Sequence, residues 1–264
     1  MIVNQIRIKP GKETEYPFNL TIFKQEIILD VERPVTVFVG ENGSGKSSLL
    51  KLIQSRMRLV EIKWQDNPEE KHAIDASTVD IMPKLGKPRG FFFESLKFIN
   101  YMEYMQKEIA YSNAELERVD KEYKNRSPYA KMMAESPFKR TIGELDRMYS
   151  RDLPHSSHGE AYLDFFASRI RDNQIYLLDE PETPLSFQNQ LTLAALIIQA
   201  TKKGCQFIIA THSPIIAAIP EAFIYEIEEN KFVRTNFDEI KDIQMLRQFL
   251  NHKEQFLRHL DEDD

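Results

Sequence analysis

Apolar positions fall in two rhythms along this chain. In residues 1–39, "IVNQIRI", "FNLTIFKQEIIL" and "VTVFV" carry alternating or β-branched apolar residues, which predicts a β-rich start. Helical spacing begins at Lys46 and continues to about Arg58. Between Val60 and Gly90 the pattern decays around Pro68, Pro83 and Pro88, which predicts loops with a short strand or two. "GFFFES" then reads as a brief buried strand ending at a polar turn. From Phe98, the residues Met102, Met105, Ile109, Ser112, Leu116, Val119 and Tyr123 step by three and four, which puts them on one helical stripe. Pro128 and Pro137 interrupt the next stretch, so a helical insert with a bent return arm is expected. Its stripe is most simply a face packed on the domain, with partner docking or dimer contact as the alternative.

After Leu153 the strand and helix rhythms alternate. A helix is expected from about His158 to Arg171, then a buried strand in "IYLLDE", then a helix in "FQNQLTLAALIIQATKK" stopped by Gly204. "CQFIIATHS" reads as a second buried strand and "AFIYEIEENKFVRT" as a hairpin. A last helix carries Ile243, Leu246, Phe249, Leu250, Phe256, Leu257 and Leu260, and "DEDD" is a solvated tail. Continuous apolar strands alternating with helices indicate an α/β fold with a mainly parallel sheet covered on both faces. One domain is expected, with a β-rich part at 1–95, the helical insert at 96–154 and a final lobe at 155–264.

Composition narrows the class. The net charge of −6 argues mildly against a chain that coats nucleic acid, because such binding rests on Lys and Arg against phosphates. The single cysteine, Cys205, cannot form an internal disulfide and lies in an apolar run, which suits an inert thiol in a reducing compartment. "MIVNQIRIKPGKE" lacks the plan of a secretory signal, and "LTLAALIIQA" is too short to span a bilayer. A cytoplasmic protein without a membrane span is expected.

The chemistry begins at "FVGENGSGKSSLL". Gly40, Glu41, Asn42, Gly43, Ser44, Gly45, Lys46 and Ser47 fit G-x-x-x-x-G-K-[ST], between a strand and a helix. Glycines let successive N–H groups point inward at phosphate oxygens, and the following helix turns its free amides and positive dipole end to the same anion. Lys46 should reach the terminal phosphates as a point charge, the Ser47 hydroxyl should ligand Mg²⁺, and Ser48 is counted with the nucleotide-binding residues. The expected ligand is therefore a nucleoside triphosphate with Mg²⁺.

Binding alone does not require "IYLLDEPET". That strand delivers Asp179, suited to the Mg²⁺ shell, and Glu180, suited to act as general base on the attacking water. His212, in "THSP" at the end of the neighbouring strand, is suited to sense the γ-phosphate. Ser157 and Glu160 form an S-x-x-E capping box, which by itself reads simply as a well-capped helix; its N-terminus, with spare amides, is also a second anion site free to meet the nucleotide of another subunit.

Together, "GENGSGKSS", the signature-like "SSHGE", the Walker B stretch "IYLLDEPE", the D-loop-like "TPLS" and the switch-histidine "THS" resemble the ATP-binding-cassette (ABC) ATPases, in that family's order. "SHGEA", "LLDEPETPLS" and "QFIIATHSPI" look most like stand-alone bacterial predicted ATPases of the AAA_21-like kind, close to the heads of SMC and double-strand-break repair proteins. The resemblance implies a P-loop NTPase fold of the ABC type and a head-to-tail dimer with ATP held between a phosphate loop and the partner's signature helix. It implies that Ser157, Gly159 and Glu160 meet the nucleotide bound by the other chain. His158 stands where the first signature glycine is usual, and Ser186 where D-loops usually end in Asp. Glu94 or Ser95 is the candidate for the metal-proximal Q-loop position, and Tyr16 or Phe18 for an adenine-stacking ring.

The leading expectation is an ATPase whose hydrolysis opens and closes a homodimer formed on ATP binding, moving its insert or a protein partner. The alternatives are a DNA-associated repair or anti-phage defence ATPase and the nucleotide-binding subunit of a membrane transporter. The first draws on the basic residues Lys121, Lys124, Arg126, Lys131, Lys139, Arg140, Arg147 and Arg151. The interspersed Glu122, Glu135, Glu144 and Asp146 favour a solvated helical face there instead.

Overall fold

Strands β3 (Val35–Val39), β7 (Ile175–Asp179) and β8 (Gln206–Ala210) are buried at every residue. Such strands need cover on both faces, and each delivers alternate side chains to opposite cores. Val35, Val37, Val39, Tyr176, Leu178, Phe207 and Ile209 enter one core, while Phe38, Ile175, Leu177, Ile208 and Ala210 enter the other. The computed structural model describes residues 1–61, 74–83, 88–148 and 158–261. The expected loop around Pro68 and the capping serine, Ser157, lie outside them.

The described strands make two sheets. In the smaller, β1 (Gln5–Ile8) is flanked antiparallel by β2 (Ile27–Asp30) and β5 (Val79–Met82). The larger has the order β10-β9-β3-β8-β7-β6-β4, with β4 at Val60–Glu61, β6 at Gly90–Glu94, β9 at Phe223–Glu228 and β10 at Lys231–Thr235. Every pairing in it is parallel except the β9–β10 hairpin. The α/β fold read from the sequence is the one observed.

Buried Gln206 joins the sheets. Its amide group donates to Val3 O at 2.8 Å and Val31 O at 2.7 Å, and its Oε1 accepts the Val3 N–H at 2.8 Å. One side chain thus satisfies backbone groups that would otherwise be stranded away from water.

Several local expectations change. Residues Thr21–Phe23 form a 3-10 turn rather than extended strand, because Ile22 and Phe23 must both turn into the core. After "GFFFE" no polar turn intervenes: α2 (Ser95–Glu122) starts at once, and its first turns send Phe98, Met102 and Met105 into the aromatic core with Phe93, Tyr162, Phe165 and Phe166. The same stripe continues at Ser112 and Val119, which are buried in the hairpin that α2 forms with α3 (Pro128–Met148). Pro137 lies inside α3 without ending it. Pro137 and Met133, whose carbonyl loses its usual partner, are both on the exposed side. Within the hairpin, Lys131 pairs with Asp120, and Lys139 pairs with Glu135 at 2.6 Å.

The remaining helices are α1 (Lys46–Met57), α4 (His158–Arg169), α5 (Phe187–Thr201), α6 (Pro214–Ala217), α7 (Lys241–Asn251) and α8 (Lys253–Asp261). The single terminal helix expected from the sequence is two, broken at His252. Of the apolar residues expected on it, Ile243 is buried, whereas Leu246, Phe249, Leu250 and Leu257 are exposed. Among the described residues no helix is long and apolar enough to cross a membrane.

Gly90 tests the packing of the sheet. Its φ is +140°, and a Cβ there would lie 1.7 Å from Ile175 O on the adjacent strand. Gly90→Ala should therefore destabilise the protein by about 3 kcal/mol or more, read as a lowered urea midpoint at unchanged slope.

Candidate functional site

The parallel sheet aligns its chemistry by register. Phe38 pairs with Ala210, Ala210 with Asp179, and Asp179 with Glu94, so the carboxyl ends of four strands finish in one row. Beyond that row lie the glycine-rich loop, residues 211–213, Glu180 and the start of α2. In open α/β sheets this edge is where ligands bind.

The loop leaves β3 and enters α1 through Gly45, whose φ of +105° is a left-handed conformation that side chains with a Cβ rarely adopt. Lys46 folds back over the loop and donates to Gly40 O at 2.7 Å and Glu41 O at 3.0 Å. Burial lowers its pKa, while the charges of Glu180, Asp179 and Glu182 oppose that shift. A cleft also opens on the loop's other flank, between residues 40–44, the β9–β10 turn and α7.

Ser47 Oγ donates to Asp179 Oδ1 at 3.0 Å. The Asp179 carboxyl is pushed up to about 6, chiefly by desolvation, against the Ser47 hydrogen bond and with the Glu94 and Glu180 charges adding to the rise. A buried carboxylate beside a hydroxyl is an oxygen donor pair that suits a hard cation such as Mg²⁺. Among the described residues no group of three or more His, Cys, Asp and Glu side chains gathers for a metal.

Glu180 has a φ of +48°, strained for a non-glycine residue. Its backbone is held on every side: its N–H donates to Ala210 O at 2.8 Å, and its carbonyl accepts from Ser95 Oγ and from the Thr183 N–H at 3.1 Å. Tyr162 O–H donates to Pro181 O at 2.5 Å and stiffens the same turn. The Glu180 side chain is left half-open, with Oε1 3.7 Å from His212 Nε2. The two residues selected for turnover chemistry thus stand side by side.

Other candidates are placed differently. The Glu94 carboxylate is paired with Lys51 at 3.1 Å and Lys97 at 2.6 Å, so two ammonium groups share it. Lys51 is correspondingly raised in pKa: burial works against this, but the Glu94 charge and hydrogen bond prevail. Ser95 supports the Glu180 carbonyl. Phe18 is buried, whereas Tyr16 is exposed and its hydroxyl meets Ser48 Oγ at 2.9 Å. Gly159 is tight within its own chain, since a Cβ there would lie 2.2 Å from Asn189 Nδ2. The Ser157–Glu160 capping contact lies outside the described residues.

Residues 110–218 match the family model AAA_21, described as "AAA domain, putative AbiEii toxin, Type IV TA system". The chain is 23% identical over 201 residues to the macrolide export ATP-binding/permease protein MacB of Shigella boydii serotype 4 and to that of Escherichia coli K12. Those matches cover 76% of this chain and 29% of each relative, so the chain spans less than a third of their length. These likenesses support an ABC-type ATPase. Among solved structures, it is similar to an ATP-binding cassette of an ABC transporter in its ADP conformation, at 15% identity, TM-score 0.49, and 95% and 99% coverage of the two chains. The SMC head domain from Thermotoga maritima is similar at 14% identity, TM-score 0.42, and 89% and 99% coverage.

Sequence reasoning passed over Glu182, Tyr162 and Gln190. Glu182 and Tyr162 are buried and meet backbone groups of His212 and Pro181, and half-buried Gln190 accepts from the Ser213 hydroxyl; no spacing rule reports such contacts. Glu182 stood in plain view in "DEPET", but an acidic residue after a strand normally signals a solvated turn.

The shifted carboxyl has a measurable consequence. With a folded pKa of about 6 against an ordinary 3.8, Asp179 holds its proton more tightly folded than unfolded. Stability therefore falls as pH rises through that window, and the cost is fully present above it, roughly 3 kcal/mol. Asp179→Asn keeps an acceptor for Ser47 and removes that cost. In metal-free buffer it should raise Tm at pH 8, with the difference shrinking towards zero near pH 4.

Proposed function

We propose that this chain binds ATP with Mg²⁺ and hydrolyses it, working as a dimer in which each nucleotide lies between the loop at residues 40–47 and residues 157–160 of a second copy. The observation that carries the reading is the pairing of Glu180 with His212 at 3.7 Å, beside a loop whose Ser47 already meets Asp179.

Each group suits one role. The amides of residues 40–48 and the Lys46 ammonium bind the phosphates, with Lys46 exchanging the carbonyls of Gly40 and Glu41 for phosphate oxygens. Ser47 and Asp179 would hold Mg²⁺, which supplies charge neutralisation at the phosphates when bound. Glu180 takes the proton of the attacking water, held at its angle by the pinned backbone. His212 stabilises the Glu180 carboxylate or the departing phosphoryl group. Ser157, Gly159 and Glu160 complete the site from the second copy, with Gly159 also needed for packing on Asn189. Glu94, shared by two lysines, acts better as a fixed charge near the site than as a direct metal ligand.

The likeness to MacB favours a second reading, the nucleotide-binding unit of a membrane exporter. Copurification of a membrane subunit would decide for it. Against nucleic acid as partner, Lys131 and Lys139 are both engaged by carboxylates within the hairpin.

Two variants test the main reading. Lys46→Ala should weaken ATP binding at least about tenfold. Glu180→Gln should keep binding, lower kcat by about a hundredfold or more, and accumulate an ATP-bound dimer in size-exclusion chromatography. Equal turnover in wild type and Glu180→Gln would remove the assigned base.

A further inference from the structure

Glu182 has no part in the proposed hydrolysis, yet it is buried at the edge of the site. It follows Pro181 in the turn between β7 and α5, and its Oε1 accepts the backbone N–H of His212 at 2.7 Å. Its Oε2 is buried without a hydrogen-bond partner among the described residues. Burial pushes the Glu182 carboxyl up, while the Thr211 side chain and the His212 N–H pull it back. A second strut runs alongside: Ser213 Oγ donates to Gln190 Oε1 on α5 at 2.7 Å, and the Ser213 N–H donates to Thr211 Oγ1 at 2.9 Å.

The residues on and beside the histidine are thus tied to the segment that follows Glu180. That segment is itself rigid, because the Glu180 carbonyl is held by Ser95 and Thr183, the Pro181 carbonyl by Tyr162, and the Glu182 carbonyl by the Leu185 N–H at 2.8 Å. His212 and Glu180 come from different strands, and β8 alone does not set the direction of the His212 side chain. A half-exposed imidazole on an untethered loop would sample several positions.

We propose that Glu182 is a positioning residue: its carboxylate locks the 211–213 loop to the turn carrying Glu180 and so sets the approach of the His212 imidazole to the Glu180 side chain. The contact needs only an acceptor at that point, so a glutamine can replace the glutamate. The purpose of the lock rests on the hydrolytic reading, whereas the lock itself can be measured without nucleotide.

The test uses the full chain with Glu182→Gln, which keeps the acceptor, and with Glu182→Met and Glu182→Thr. The first of the latter pair fills the space without accepting, and the second is too short to reach. Hydrogen exchange of the His212 amide in the nucleotide-free protein should speed up at least about tenfold in the Met or Thr variant and stay near wild type in the Gln variant. Steady-state ATP turnover should lose about tenfold or more in kcat in the same variants, with KM within about twofold, and Gln should restore it. Adding His212→Ala to Glu182→Met should cost little more, because the two act as one unit. Unchanged exchange in both Met and Thr variants overturns the lock. Faster exchange with unchanged kcat, or additive losses with His212→Ala, overturns the positioning role. A wild-type chain with turnover no higher than Lys46→Ala overturns the hydrolytic reading instead, and the exchange data still decide the lock.

Discussion

The site depends on one constraint, the common direction of β3, β8, β7 and β6. Parallel strands buried on both faces must end together at one edge, and their register puts Phe38, Ala210, Asp179 and Glu94 in a single row. Each following loop then starts from a fixed point. A one-residue slip of β7 would exchange the faces of Tyr176 and Leu178 with those of Ile175 and Leu177 and carry Asp179 out of reach of Ser47. The same apolar packing that stabilises the sheet therefore sets the distances in the site.

The aromatic core extends this control to the helices. Phe93 on β6 meets Phe98 on α2 with ring centroids 5.3 Å apart, and meets Tyr162 and Phe166 on α4 at 5.4 and 4.9 Å. Tyr162 carries a hydroxyl out of that cluster to the Pro181 carbonyl. An apolar core thus ends in one polar contact that fixes the turn after Glu180. The strained backbone at Glu180 persists because the surrounding bonds over-determine it.

The charges at this edge are held in tension. Asp179, Glu180 and Glu182 crowd around Lys46, two of the carboxyls are raised by burial, and the ammonium is satisfied by loop carbonyls. Such an arrangement is poorly compensated by its own residues. Glu94 escapes the crowd because two lysines share it.

Much of this was legible in one dimension. The glycine loop, the two carboxylates after an apolar strand and the histidine after the next strand are local patterns, and strands buried on both faces read as unbroken apolar runs. Local patterning therefore indicated a parallel sheet covered by helices and the strand ends that carry the motif residues. It misjudged Thr21–Phe23, the terminal helix and Pro137, where burial or exposure of particular faces overrides the run of residue types. It could not place Glu182, Gln190, Gln206 or Tyr162, nor show that Glu94 is spoken for. Those facts are contacts between residues far apart in the chain. A polar side chain's burial and partner exist only once the strands have paired and the helices have packed, so tertiary structure alone decided them.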